Sequence, residues 1–155
     1  MPFLQKAFML IGMAKTSTSG LEAIEMGLFP QSATMTISRD HQVDRAKGMV
    51  LELLNRGYAP PTPRTAIPVV GDPGVQTFKM AIYNMKEGRQ ISEHDALIAE
   101  KIAIVLCGGE IDGGQTVSEG YLLDLERNGF VELCQTQKTR DRIETMLKTG
   151  KPLRN

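Results

Sequence analysis

The fold is decided by residues 117–155, VSEGYLLDLERNGFVELCQTQKTRDRIETMLKTGKPLRN. Apolar residues recur three to four positions apart along the first half of this stretch, which is the spacing of one stripe on an amphipathic helix. The stripe is formed by Leu122, Leu125, Gly129 and Leu133 and is widened by Leu123, Phe130 and Cys134. Thr136 is a typical N-cap for a second helix, and Gly150 and Pro152 mark where that helix ends. We therefore predict a helical hairpin that exposes more apolar surface than it buries by itself.

Length and charge allow one ordinary domain without a polyelectrolyte partner. The chain has 155 residues, and 18 basic and 18 acidic side chains give a formal net charge of zero, so nucleic acid is not an expected partner. Cys107 and Cys134 lie in apolar helical runs, which favours reduced, buried thiols in a cytoplasmic protein. No apolar run approaches the roughly 18 residues of a membrane span, and the N-terminus lacks the pattern of a signal peptide.

Spacing and end signals predict six or seven helices and almost no sheet. Upstream of the hairpin, the predicted helices are Pro2 to Gly12, Ser19 to Gly27, Asp40 to Gly57, a helix carrying Val75, Phe78, Ile82 and Met85, and Ser92 to Leu106. The last of these is apolar on nearly every side, so we expect it deep in the core or in an interface. Thr34 to Ser38 alternates with β-branched residues and predicts one short strand.

Capping residues mark where several of these helices begin. Ser19 with Glu22, and Thr116 with Glu119, have the spacing of capping boxes, in which a hydroxyl and a carboxylate satisfy the first free N–H groups. Asp40 is predicted to cap its own helix in the same way.

Two segments between the helices have distinctive backbone chemistry. Residues 58–73 contain five prolines, which fix extended backbone and remove N–H donors, so they predict an ordered strap or linker. Gly71 to Gly74 has the composition of a tight turn. The pairs Gly108–Gly109 and Gly113–Gly114 predict a flexible loop; they follow a helix and lack a Gly-Lys-Ser/Thr ending, so a phosphate-binding loop is not indicated.

Side chains that suggest catalysis or ligand binding are few. Ser92 and His94 suggest a small hydrolase, but residues so close on a helix point in different directions, and we predict that His94 is a surface residue at the helix start. No Cys and His pattern suits zinc, so no metal site is predicted. Lys148, Lys151 and Arg154 gather near the end of the last helix, either as partners of the helix dipole or as an anion site.

Two groups of motifs then resemble the distal half of the crotonase (enoyl-CoA hydratase/isomerase) family. The first group is Leu10-Ile11-Gly12, Gly20-Leu21-Glu22-Ala23 and Gly27-Leu28-Phe29, followed by the helix from Asp40. The second comprises Glu126, Phe130, Asp141-Arg142-Ile143 and Met146-Leu147-Lys148, running to Lys151-Pro152. Both groups occur in the family's order.

The whole chain looks most like the C-terminal end of bacterial fused 3-hydroxyacyl-CoA dehydrogenase/enoyl-CoA hydratase proteins of fatty-acid β-oxidation. The stretch from Tyr58 to Gly114 is longer than in ordinary crotonases, which favours the fused subfamily. The chain departs from the family at Met146, where an aromatic is usual, and at Thr149 and Gly150, which replace basic residues.

The resemblance implies a mainly α fold: the helical C-terminal, trimerisation part of a crotonase-like fold with one short strand. It implies three segments: 1–57 as the distal edge of the crotonase core, 58–74 as the proline-rich strap and 75–155 as a C-terminal helical domain. It also implies a trimer-like homo-oligomer that packs against an upstream crotonase core.

The resemblance further implies that this chain supplies no catalytic residue. In the family, the oxyanion loops, two catalytic glutamates and the NAD domain lie upstream of the segment matching Leu10, so we expect no cofactor bound by this chain alone and acyl-CoA as the substrate of the larger protein. Phe130 matches an aromatic near the CoA adenine, and Lys148 or Lys151 would stand in for a phosphate-binding lysine. The alternative is a free-standing helical interaction or regulatory protein.

Overall fold

Seven helices and a two-stranded sheet make up the computed structural model, which describes residues 1–155. The helices are α1 (Pro2–Gly12), α2 (Gly20–Met26), α3 (Gln42–Asn55), α4 (Asp72–Glu87), α5 (Glu93–Cys107), α6 (Glu119–Cys134) and α7 (Gln137–Thr149). The strands are β1 (Ile67–Pro68) and β2 (Thr116–Val117). The mainly α fold and the number of helices are confirmed. None of the helices combines the length and apolarity needed to cross a membrane.

The chain packs as two units. Unit 1 comprises residues 1–14 and 63–155, and unit 2 comprises residues 15–62. The first helix therefore packs with the C-terminal half of the chain, although the resemblance groups it with residues 1–57. The predicted division follows the parts of the crotonase family that each segment resembles, and it does not describe how the chain packs. It stays a prediction for the segments 1–57, 58–74 and 75–155.

The core of unit 1 forms where α5 meets α1 and α4. α4 contributes Val75, Phe78 and Ile82, which are spaced to lie on one helix face and are almost fully buried. α5 contributes small side chains, Ala96, Ala103 and Cys107, which allow close helix packing. Phe8 of α1 stacks on Phe78 with ring centroids 4.6 Å apart. The predicted deep position of α5 is confirmed, since it contacts α1, α4 and α6.

The glycine-rich loop after α5 is bonded to the start of α4. The N–H of Gly71 donates to the Cys107 carbonyl at 2.8 Å, and the N–H of Asp72 donates to the Ile111 carbonyl at 2.7 Å. Gly71 has a φ of +68°, and a Cβ there would lie 2.3 Å from the Ile111 oxygen. The prediction of a flexible loop is wrong, because these backbone bonds and the close packing fix it.

The proline-rich strap contributes one strand, β1, to the small sheet. β1 pairs antiparallel with β2, with Ile67 opposite Val117 and Pro68 opposite Thr116. The predicted tight turn at Gly71 to Gly74 is instead the N-cap and first turn of α4, which begins at Asp72. Proline is compatible with a first helical turn because its missing N–H would have no partner there.

The predicted hairpin is confirmed as α6 and α7. Thr136 caps α7 by accepting a bond from the Thr139 N–H, and Gly150 ends it in the left-handed conformation. The predicted capping box of Thr116 and Glu119 is wrong, because Thr116 belongs to β2 and Ser118 caps α6. Glu119 instead accepts a bond from the backbone N–H of Arg64, in the strap.

Unit 2 contains α2 and α3. Ser19 caps α2 by accepting a bond from the Glu22 N–H at 3.1 Å. The reciprocal half of the predicted box is wrong, because the Glu22 carboxylate accepts instead from the N–H and hydroxyl of Thr18, both at 2.6 Å. These bonds lower the pKa of Glu22.

Three further predictions in unit 2 are wrong. Residues 34–38 form no strand, and unit 2 offers no second strand with which they could pair. Asp40 does not cap α3, which begins at Gln42 with His41 as N-cap and without a side-chain cap bond. The spacing of Val43, Ala46, Val50, Leu53 and Leu54 predicts one buried face on α3. This prediction is also wrong, since no residue of this 14-residue helix is buried in the chain. α3 therefore lacks the tertiary packing that normally stabilises a helix. A helix of this length is only marginally stable in water without such packing.

Candidate functional site

Phe130 lies at an apolar groove that α1, α5 and α6 form in unit 1. The groove has a volume of about 240 Å³, and its apolar lining comprises Ile11, Ile98, Ile102, Val105, Leu106, Phe130 and Leu133. Gly129 is buried on α6 and faces Lys101 of α5; a Cβ there would lie 3.7 Å from the Lys101 side chain, an ordinary contact distance. Phe130 itself is 58% exposed, so its ring is accessible to a flat or apolar partner.

The two predicted lysines lie elsewhere on α7 and its end. Lys148 is exposed and forms an ion pair with Glu144 one turn earlier. Lys151 follows the Gly150 cap, and its backbone N–H donates to the Thr149 hydroxyl at 3.1 Å. Neither lysine lines the groove at Phe130. The structure therefore does not bring the three predicted CoA-binding residues together in that groove.

A polar cluster joins the start of α5 to α7 and to the last residue. Arg142 donates to the Asp95 carboxylate at 2.7 Å and to the Asn155 side-chain oxygen at 2.8 Å. It also donates to the main-chain oxygen of Asn155 at 3.1 Å, as does the Ser92 hydroxyl. Burial alone would raise the pKa of Asp95, but the bonds from Arg142 and Ser92 hold it below its usual value. The cluster is a structural clamp with every polar group occupied.

Ser92 and Asp95 form the reciprocal capping box at the start of α5. The sequence predicts Ser92 as the N-cap, and this is confirmed. The contacts to Arg142 and Asn155 have no local signal, because these residues lie 47 and 63 positions away from their partners Asp95 and Ser92. Only the packing of α7 against the start of α5 reveals the cluster.

The prediction that His94 is a surface residue is wrong. His94 is 4% exposed, and its Nε2 lies 2.9 Å from the hydroxyl oxygen of Thr139, which is also buried. Burial, with the nearby positive charges of Arg142 and Lys138, lowers the pKa of His94. A signal was present: His94 lies four residues before Ile98, and that spacing places both on one helix face.

The hydrogen bonds do not support a hydrolase at Ser92. Its hydroxyl bonds to Asp95 and Asn155, whereas His94 bonds to Thr139, so no histidine is positioned to take the Ser92 proton.

The two cysteines are free thiols. Cys107 is fully buried, and burial raises the pKa of its thiol, whereas Cys134 is half-buried. No group of three or more His, Cys, Asp or Glu side chains is arranged to hold a metal ion.

Large exposed apolar residues are the most widespread feature of the surface. In the hairpin they include Leu123, Phe130, Val131, Met146 and Leu147, which is 82% exposed. In α3 they are Val43, Met49, Val50, Leu51, Leu53 and Leu54. Single exposed apolar residues are normal, but runs of them on neighbouring helical positions mark interaction surfaces. The predicted excess of apolar surface on the hairpin is confirmed.

One curated protein to which the chain is similar is described as a probable 3-hydroxyacyl-CoA dehydrogenase from Bacillus subtilis (strain 168). The two are 38% identical over 150 residues, which cover 97% of this chain and 19% of that protein. The chain thus spans about a fifth of the length of the curated relative that it matches. No family model matches the chain. No solved structure matches it either.

Proposed function

We propose that this chain works as a helical, non-catalytic segment of a 3-hydroxyacyl-CoA dehydrogenase/enoyl-CoA hydratase protein of fatty-acid β-oxidation. It forms the C-terminal part of the hydratase, packs against the crotonase core and against copies of itself in a trimer, and lines the acyl-CoA site. The observation that carries the proposal is the 38% identity that extends over 97% of the chain but only 19% of the relative.

The exposed apolar helices support a packing role. α3 has no buried residue, although the second half of the helix is apolar on several sides. Each buried methylene contributes about 0.8 kcal/mol, so covering the side chains of α3 would be worth several kcal/mol to an assembly. A crotonase core is the surface that the resemblance supplies for this purpose.

The side chains that sequence chemistry suggests for catalysis have structural partners. Glu22 is bonded to Thr18, His94 to Thr139, and Ser92 to Asp95 and Asn155. Hydration of a thioester requires oxyanion donors and carboxylates that are positioned around the reacting atoms. In the proposed assembly, the crotonase core supplies them.

For CoA itself, Phe130 and Lys151 are better placed than Lys148. The Phe130 ring is exposed at its groove, so it can stack on an adenine. Lys148 is paired with Glu144, whereas the side chain of Lys151 has no ion pair, so Lys151 is the stronger candidate for a phosphate. A calorimetric titration of the assembled protein with CoA would show weaker binding for Phe130→Ala and Lys151→Gln than for Lys148→Gln. Equal affinities in all three variants would contradict this assignment.

An activity assay in two steps tests the proposal. The purified 155-residue chain is expected to give no hydration of a short enoyl-CoA. Adding the other four-fifths of the B. subtilis relative as a separate chain is expected to restore hydration above the level of either part alone. Clear turnover by the 155-residue chain, or no association between the two parts, would contradict the proposal.

The second candidate is a free-standing interaction or regulatory protein, which the exposed apolar surfaces also favour. Light scattering separates the two. A segment of a larger assembly self-associates or aggregates through its uncovered faces, whereas an independent module is a clean monomer.

A further inference from the structure

A second cavity of unit 1 lies between α1, α4, α5, α7 and the last residues of the chain. Its volume is about 230 Å³. The apolar lining is rich in methionine and includes Phe8, Met9, Met13, Ile82, Met85 and Met146. Methionine is flexible and polarisable, so such a lining adapts to chains of different shape.

The cavity has a buried base and an open mouth. Phe8 and Ile82 are buried members of the core. Met9, Met13 and Met146 are each more than 40% exposed, so they surround the opening. A ligand would therefore enter past the methionines and reach the core with its apolar end.

Charge around the cavity favours an anion. Its charged lining residues are Asp95, Arg142 and Arg154, which amount to two guanidinium groups and one carboxylate. Arg142 is held by Asp95 and Asn155. Arg154 is exposed, and its side chain takes part in none of the hydrogen bonds or ion pairs. Arg154 also borders a neighbouring surface pocket with Glu87 and Glu93, but it forms no ion pair with either, so its guanidinium group is available to an anion at the cavity.

The chain builds one wall of the cavity from its own last residues. Pro152, Leu153 and Arg154 line it. Asn155 holds this segment in place through its bonds with Arg142, Ser92 and the Lys138 carbonyl. The wall is therefore present without any partner protein.

We propose that this cavity binds an unbranched alkyl chain that carries one negative head group, with the chain against the methionines and the head group at Arg154. Its size fits a short chain. A cavity of about 150 Å³ holds benzene, so about 230 Å³ holds roughly nine carbon atoms in proportion. The volume lies below the roughly 300 to 1,000 Å³ of sites for drug-sized ligands.

This inference goes beyond the proposed function. The cavity is distinct from the groove at Phe130, and the 155-residue chain is sufficient to form it. Failure of alkyl binding would leave the hydration assay unaffected, and failure of that assay would leave the cavity open to test.

Methionine-methyl NMR tests the proposal directly. The chain is labelled with ¹³C at its methionine methyl groups and titrated with decanoate below the micelle concentration. We expect saturable shifts at Met9, Met13, Met85 and Met146, and none at Met49 or Met80, which do not line the cavity. Affinity should fall about fourfold for each methylene removed from the ligand. No saturable shift, or equal shifts at Met49 and Met80, would overturn the proposal.

The head group is tested with a neutral ligand and a matched pair of variants. Arg154→Gln is expected to weaken decanoate binding about threefold, the size typical of an exposed charge pair, and to leave decanol binding unchanged. Arg127→Gln removes an exposed cation of α6 that does not line the cavity, and both ligands should bind this variant as they bind the unmodified chain. Equal effects of the two variants on decanoate would overturn the head-group assignment. Both positions are exposed, so neither change threatens the fold.

Discussion

Polar side chains connect the start of α5 with α7 and with the last residue of the chain. Arg142 bonds to Asp95 and Asn155, and it thereby ties the start of α5 to the last residue of the chain. The Arg142 and Asp95 side chains are 18% and 22% exposed. Water screens such a pair much less than a surface pair, and loss of one partner leaves a mostly buried charge without compensation.

We expect Arg142→Met to destabilise the chain by about 2 to 3 kcal/mol, somewhat below the 3 to 5 kcal/mol typical of a fully buried pair. Arg127→Met is the matched control, because Arg127 pairs with Asp124 on an exposed surface; it should cost less than about 1 kcal/mol. Chemical denaturation measures both. An equal loss in the two variants would show that the clamp contributes nothing beyond a surface pair.

His94 makes stability depend on pH. Its folded pKa is lowered, so the unfolded chain binds a proton first, near the model-peptide pKa of about 6.5. Neutral His94 contributes fully to the free energy of unfolding above that pH, and this contribution is lost as the pH falls toward the folded pKa. Denaturation between pH 7 and pH 5 should show this loss, and His94→Gln should reduce it. A His94→Gln profile parallel to that of the unmodified chain would contradict the assignment.

Two glycines that end helices differ in how closely their surroundings pack. Gly108 and Gly150 both end helices in the left-handed conformation, with φ of +82° and +68°. A Cβ at Gly108 would lie 2.4 Å from Val69, whereas a Cβ at Gly150 would meet nothing within 4 Å. The same backbone requirement thus occurs once inside the packed loop and once in open space.

The pair of substitutions Gly108→Ala and Gly150→Ala separates these effects. Gly150→Ala should cost about 1 to 2 kcal/mol, the penalty for a left-handed residue with a Cβ. Gly108→Ala should cost about 1 to 3 kcal/mol more, because the new methyl group overpacks against Val69. Thermal or chemical unfolding measures the difference. Equal losses of stability in the two variants would mean that the loop moves away from Val69 without cost.

Local signals predict the helices well and their surroundings poorly. Apolar spacing located α4 to α7, and hydroxyl caps at Ser92 and Thr136 located the starts of α5 and α7, because these signals act within one or two turns. The burial of His94 and the ordering of the glycine loop depend on partners far away in sequence, such as Thr139 and Gly71. The candidate CoA residues rest on resemblance, so periodicity could not locate them.

The buried core is unevenly distributed among the helices. α4 and α5 carry most of the buried core, whereas α3 buries nothing within the chain. Helices without packing open easily, and this property suits a segment that becomes ordered on assembly.

Hydrogen exchange would show this contrast. In the isolated chain, amides of α5 should exchange slowest and those of α3 close to the rate of an unfolded peptide. Addition of the remaining part of the B. subtilis relative should slow exchange in α3. Unchanged exchange in α3 on a demonstrated association would place the interface elsewhere on the chain.

In the proposed function, this chain is a working part of a larger β-oxidation enzyme. The most direct measurement is the hydration rate of a short enoyl-CoA by the B. subtilis relative in three forms: intact, with its matching segment deleted, and with that segment replaced by residues 1–155 of this chain. We expect activity in the intact form, loss of activity in the deletion and recovery of activity in the replacement. A deletion as active as the intact protein, or a folded replacement as inactive as the deletion, would contradict it.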